Sequence, residues 1–319
     1  MINAGMVFSD RHYGGINYPK GGVGKISEKL AEGLERHGSV IEYKANVQEI
    51  LFENGKAVGV RLTNGSERRA RVIVSNATRW DTFEKLVPNH LVPSIEKKFQ
   101  ERYEKSPSFL SLHLGVEKDI ISPDEDCHHI VLEEWKNLTD ARDAQGTIFV
   151  SIPTLLDPSL APPDRHIFHI FTPSFIEEFH GLSGRDYMAR KESLADRLIA
   201  RLEAKCFPGL SSAVRFREVG SARTHRKYLG RVDGSYGPVP NKRLRGLLPM
   251  PFNRTEVPGL YCVGDSSFPG QGLNAVAFSG FACGYRVAAD LGLVETYPAL
   301  DDFLHSALLK PRLRIPDPT

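Results

Sequence analysis

The sequence predicts a mixed α/β (α+β) chain: an incomplete Rossmann-like nucleotide-binding domain drawn from both ends, with a mixed-sheet domain inserted between them. Three observations carry this. A short apolar strand at 260–264 runs through a glycine-rich turn into a helix of small residues that reaches Gly284. Two Asn-Gly pairs, Asn54-Gly55 and Asn64-Gly65, separate alternating apolar runs, the pattern of an antiparallel meander. Between these regions, strand-like runs from 108 to 171 alternate with Pro-rich loops. The implied division is 20–85 with 255–295 for the nucleotide-type domain, 1–19 with 86–254 for the inserted domain, and 296–319 for a C-terminal helix and loose tail.

Taken in order, residues 1–20 read as loop or a short helix closing on Tyr18-Pro19-Lys20. From Gly21 onward Val23, Ile26, Leu30 and Leu34 recur at three and four, which predicts a helix, and Gly38 ends it. Strands are expected at 39–43, 46–52, 57–62 and 69–75. Residues 80–105 should form two helical pieces around Pro88 and Pro93. Strands at 108–116, 130–133, 147–152 and 165–171 then build the second sheet, followed by a helix over 186–206 that Phe207-Pro208-Gly209 stops.

Composition excludes some classes of partner. The 319 residues carry 41 basic and 39 acidic side chains, a formal charge of +2, so bulk electrostatics gives no case for nucleic acid. Glu67-Arg68-Arg69-Ala70-Arg71 and Lys242-Arg243-Leu244-Arg245 read as solvated surface, with membrane headgroups the alternative for the second. Cys127, Cys206, Cys262 and Cys283 are scattered, without the spacing of a zinc site or a disulfide framework. No targeting segment is visible. The uncharged stretch 266–285 contains Gly280-x-x-x-Gly284, yet Pro269, Gln271 and Asn274 make it too polar to span a bilayer; a buried helix packed on a sheet is expected.

The chemistry-bearing motif is Gly264-Asp265 followed by Gly270-Gln271-Gly272-Leu273. Gly264 lets a ligand approach the backbone, and Asp265 at the strand's carboxyl end offers a carboxylate to a sugar hydroxyl. The Gly-Gln-Gly helix start presents N–H groups and the positive end of a dipole, suited to a pyrophosphate or an anionic reduced isoalloxazine. Asp265 as the N-cap of a short turn is the alternative. Lys20-Gly-Gly-Val-Gly-Lys25 fails as a phosphate loop, because Ile26 stands where Ser or Thr should reach magnesium. Gly270-Gln-Gly272-Leu-Asn-Ala275 matches a dinucleotide fingerprint, but no second strand with an acidic end follows. His166 and His169 lie three apart on a predicted strand and so face opposite ways, and no metal site is expected. The pairs Glu133-Glu134, Glu177-Glu178 and Asp301-Asp302 read as solvent-facing.

Five segments, Asp10-Arg-His-Tyr-Gly-Gly-Ile-Asn-Tyr-Pro19, Val74-Ser-Asn-Ala-Thr-Arg-Trp-Asp-Thr82, Asp126-Cys-His-His129, Arg223-Thr-His-Arg226 and Gly264-Asp-Ser-Ser-Phe-Pro-Gly-Gln-Gly272, together resemble the carotenoid isomerase branch of the phytoene desaturase-like flavoproteins. The resemblance implies FAD as cofactor and conversion of poly-cis-lycopene (prolycopene) to all-trans-lycopene, in plastids or cyanobacteria, at a membrane surface that the protein touches without spanning. It places Gly264 and Asp265 at the ribityl region, the Gly272-Leu273 helix start at the flavin ring and the backbone of Val47 at the adenine, with Gly270 and Gln271 also among the cofactor-binding residues. It also implies that the family's ADP-binding strand-helix-strand lies ahead of this chain, which looks like the C-terminal part of a longer protein. The inserted domain would supply an apolar tunnel for the polyene. No catalytic acid or base is assigned. The segment 171–179, with Phe175, Ile176 and Phe179 at helical spacing, is a candidate membrane contact or else a core helix. A flavin-dependent carotenoid desaturase and a truncated, non-catalytic fragment are the rival readings.

Overall fold

The computed structural model describes residues 17–132, 146–239 and 250–294. Helix α1, Gly24–Arg36, forms where the periodicity placed it, and Gly38 closes it with φ +78°. Its apolar stripe is uncovered among the described residues, with Leu30 66 % exposed. The expected strand at 39–43 does not form: no described strand pairs with it, and Val40 and Tyr43 stand in solvent. Apolar alternation needs a neighbouring ladder to become a strand.

The meander is present as β1 (Val47–Glu53), β2 (Lys56–Leu62) and β3 (Glu67–Arg69), in that order and antiparallel. Asn54 and Gly55 adopt φ +48° and +76°, the left-handed pair that a two-residue hairpin loop requires. The single strand expected at 69–75 is instead two. After Ala70 N–H donates to Val58 O (3.0 Å), the chain leaves the meander and β4 (Ile73–Ser75) pairs in parallel with β10 (Leu260–Cys262), Leu260 opposite Ile73 and Cys262 opposite Ser75. Residues 73–75 and 260–262, far apart in the chain, thus meet in one small sheet. Ile50, Ala57, Phe83, Val87, Val92, Val257, Leu260 and Cys262 form the core beneath it.

Next come the short α2 (Arg79–Asp81), continued by a π-turn at Thr82–Leu86, and α3 (Ser94–Arg102), two pieces around Pro88 and Pro93 as expected. The second sheet contains β5 (Ser108–Glu117), β6 (His128–Leu132), β7 (Thr147–Ser151), β8 (Arg165–Ser174) and β9 (Val214–Gly220), in the order β6-β7-β8-β5-β9. Every neighbouring pair in it is antiparallel, so the mixture of parallel and antiparallel pairing lies between sheets. One face, carrying Leu110, Leu112, Leu114, Ile148, Val150, Phe168 and Ile170, packs on Leu194, Leu198 and Leu202 of α4 (Gly184–Lys205). His166 and His169 do face opposite ways. His166 is buried against Thr154, and His169 stacks on His113 across the open side.

The expected helical stripe at 175–179 is a correction. Phe171 belongs to β8, while Ile176 and Phe179, in a single 3-10 turn, are buried in the core and cannot contact a membrane. After the one-turn α5 (Leu210–Ala213), neither β9 nor α6 (Ala222–Leu229) was expected. Helix α7 (Leu273–Asp290) buries Ser279 and Cys283, but Gly280 and Gly284 face open space where close packing on a sheet was expected. Among the described residues no helix is long and apolar enough to cross a membrane. Glu133, Glu134, the Lys242–Arg245 cluster, Asp301 and Asp302 lie outside the described residues, as does the expected C-terminal helix.

Candidate functional site

The two parallel strands end side by side, which sets the turn. Val263 N–H donates to Ser75 O (2.9 Å), and Gly264 follows at φ +89°, so close to Asn76 that a Cβ would sit 2.4 Å from its Oδ1. Ser267 N–H then closes onto Gly264 O (3.1 Å), and Phe268 N–H onto Pro251 O (2.7 Å). Gly270 and Gly272 at φ +121° and +101° carry the chain into α7. Gly272 is the N-cap of that helix. It has no side chain to satisfy the first-turn N–H groups, and a Cβ there would meet nothing within 4 Å. The N–H groups of Asp265 and Ser266 lie beside the Asp265 carboxylate, so its alternative role as the cap of the short turn before α7 stays open.

Asp265 is 8 % exposed, and its carboxylate accepts from Arg231 Nη2. Burial pushes its carboxyl up from the ordinary range; Arg231 and the N–H groups of Asp265 and Ser266 act against that. Arg231 is itself fixed, donating from Nε to Ser235 O (2.6 Å) and lying 5.6 Å from the centre of the Tyr236 ring. Gly237, at φ +80°, comes so near that a Cβ would stand 2.7 Å from Asp265 O. A glycine is needed there to let the two loops touch.

Gln271 joins this turn to the open side of the five-stranded sheet. Its Nε2 donates to Pro238 O (3.1 Å), and it borders a cavity of about 290 Å³ walled by Phe109, Phe149, Phe171, Pro173 and Tyr236. The rings are mutually packed: Phe109 meets Phe171 at 5.2 Å and Tyr236 at 4.9 Å, and Phe149 stacks on Phe171 at 4.8 Å. Tyr236 Oη and His225 Nδ1 are 3.0 Å apart, and His225 Nε2 lies 3.4 Å from Ser111 Oγ. A larger, wide-mouthed hollow of about 560 Å³, lined by Phe83, Asn89, Lys97 and Glu101, does not include any residue of the turn.

Of the residues expected to hold a cofactor, Gly264, Asp265, Gly270, Gln271, Gly272 and Leu273 form one continuous turn and helix start. Val47 stands apart at the head of β1, on the strand whose Ile50 shares a core with Leu260 and Cys262. The loop after Tyr18 is occupied from within the protein, Gly21 N–H donating to Asp157 Oδ2 (2.7 Å). Arg231, Tyr236 and Gly237 were not expected in the site. Nothing in their local sequence separates them from surface residues; only the Gly-Pro and aromatic neighbours of Gly237 hint at a tight loop.

A strand-turn-helix of this kind, joined to an antiparallel sheet with an apolar cavity at the junction, is the architecture of a flavoprotein oxidoreductase fold. The family model of flavin containing amine oxidoreductases matches residues 5–287, and the chain belongs to that family. The expected flavin stands with the family. Among its relatives, the chloroplastic prolycopene isomerase of Daucus carota is 60 % identical over 302 residues, covering 94 % of this chain and 49 % of that protein. That of Arabidopsis thaliana is 59 % identical, with 94 % and 50 % covered. The chain therefore spans about half the length of these relatives. A crystal structure of an oxidoreductase from Methanosarcina mazei superposes with a TM-score of 0.57 at 19 % identity, over 84 % of this chain and 55 % of that one, a likeness of fold.

Proposed function

We propose that this chain contributes the ribityl-flavin side and the hydrocarbon pocket of an FAD-dependent carotenoid cis–trans isomerase, which converts poly-cis-lycopene to all-trans-lycopene in plastid carotenoid biosynthesis. The observation that carries it is the opening of the Gly264–Leu273 turn, through Gln271, directly onto an aromatic cavity. The names of the relatives near 60 % identity supply the substrate and the plastid. In this reading residues 20–85 and 255–295 form the cofactor side and 86–254 most of the substrate side.

The residues suit a flavin. Gly264 keeps the strand end clear, Asp265 presents an acceptor to a ribityl hydroxyl, and the uncapped start of α7 faces open space. Val47 would meet the adenine through its backbone. When bound, FAD supplies reversible electron donation to the polyene, which lowers the bond order of a cis double bond while the net reaction conserves redox state. Arg231 acts on the Asp265 carboxyl against the upward push of its burial. The walls formed by Phe109, Phe149, Phe171 and Tyr236 exclude water and hold the chain in van der Waals contact. A hydrocarbon substrate resides in bilayers, so the reading includes contact with a membrane surface.

Product analysis under anaerobic conditions tests the reaction class. With prolycopene and either reduced FAD or oxidised FAD plus a quinone acceptor, an isomerase yields a product of unchanged hydrogen count; loss of hydrogen in the arm that contains oxidised FAD and the acceptor would establish the desaturase reading instead. A chain that takes up no flavin would support the non-catalytic fragment.

A further inference from the structure

We infer that the one-turn helix α2 is the clamp of the cofactor turn, with Arg79 and Asp81 as positioning residues that hold the two partners of the Asp265–Arg231 pair in place. This rests on the flavin reading of that turn. Neither residue touches the cavity or the end of α7. Both belong to the segment Val74–Thr82, which marked the isomerase resemblance without receiving a role.

Arg79 is 1 % exposed and reaches three separate pieces of chain. Its Nε and Nη2 form a fork on Glu96 of α3, at 3.1 and 2.8 Å. Its Nη1 donates to Phe252 O and to Ser267 Oγ, both at 3.2 Å, and its backbone N–H donates to Ser266 Oγ at 3.0 Å. Ser266 and Ser267, the two residues after Asp265, are themselves buried, so their hydroxyls have Arg79 as a fixed reference. Two residues further on, Asp81 does the equivalent for the other side. Its Oδ2 accepts from Val232 N–H (2.9 Å), the residue after Arg231, and from Thr78 Oγ1 (2.6 Å), while Lys85 Nζ bonds Oδ1 at 2.5 Å. One helical turn thus grips the chain on either side of the ion pair.

Energetics favour a positioning role over a stabilising one. A buried Arg-carboxylate pair barely offsets the cost of taking both charges out of water, and apolar replacements of similar volume are often as stable. What such a pair provides is a fixed geometry, here a planar fork with its remaining N–H groups aimed at one serine and one carbonyl. Removing Arg79 alone leaves the Glu96 carboxylate without its partner. Removing both charges does not, which separates the two effects.

FAD titration and thermal unfolding of the 319-residue chain test this in parallel, using Arg79→Met, the double variant Arg79→Met/Glu96→Gln, Asp81→Asn, and Arg217→Met as control. Arg217 pairs with Glu192 and Asp196 of α4, away from the turn. The expected result is that Arg79→Met loses both stability and affinity, while the double variant regains stability and still binds FAD about tenfold more weakly, the scale of one lost charge-assisted hydrogen bond. Asp81→Asn should weaken FAD binding as well, and Arg217→Met should lower the unfolding temperature without changing affinity. A double variant or an Asp81→Asn protein that binds FAD as tightly as the parent overturns the inference. A parent chain that takes up no FAD overturns the flavin reading itself, and the clamp with it.

Discussion

His169 and His113 sit opposite each other on β8 and β5, with rings 4.7 Å apart and 9° from parallel. Burial, then the neighbouring His113 and His225, lower His169 from 6.5 to about 4. The fold therefore favours the neutral imidazole, and the stability it confers is complete above the unfolded value. As pH falls from about 6.5 toward 4, the unfolded chain binds the proton first and stability declines. Replacing His169 with Phe should flatten that decline, which unfolding temperatures across the interval would show. Gly264 poses a backbone problem instead. At φ +89°, with a Cβ 2.4 Å from Asn76 Oδ1, a side chain is both strained and crowded, so Gly264→Ala should cost more in urea unfolding than the about 1–2 kcal/mol of the backbone strain alone. Asp265 and its glycines were legible in the sequence because a Gly-Asp pair after an apolar strand and a Gly-x-Gly helix start are local signals. Arg79, Asp81 and Arg231 were not. A charged residue in a sequence looks like surface, and their partners lie far along the chain: 187 positions separate Arg79 from Ser266, and 151 separate Asp81 from Val232.

The two faces of the five-stranded sheet differ: one packs on α4, and the other bounds the aromatic cavity. Leu198 of α4 is fully buried against the core face, and Leu198→Ala should cost about 2–5 kcal/mol, measurable by denaturant unfolding. Phe171 faces the other way, onto the cavity beside Gln271. On the proposed function, Phe171→Ala should weaken carotenoid uptake by about tenfold while costing less stability than Leu198→Ala, because Phe171 is only half-buried even with its ring contacts to Phe109 and Phe149. Elements set by local pattern were readable in advance: the Asn-Gly hairpin, the Leu-rich α4, and the strands around β5. Those set by distant pairing were not. The run 69–75 looks continuous, yet Ile73 N–H is claimed by Gly259 O (2.7 Å) and the strand breaks. β9 alternates poorly because its register slips opposite Gly115 and Val116.

Across the whole molecule, the parallel pair β4–β10 joins the first region of the chain to its final third. The apolar stripe of α1, with Leu30 and Leu34, and the Phe278, Phe281 and Tyr285 side of α7 are exposed among the described residues. Against that background lies a turn whose carboxylate, glycines and helix start converge beside an aromatic cavity. The account stands on that turn gripping a flavin. Equilibrium titration of the parent chain and of Asp265→Ala with FAD, read by flavin absorbance and fluorescence, addresses it most directly. Saturable binding that Asp265→Ala weakens by about tenfold or more is the predicted result; equal binding by the two proteins would contradict it.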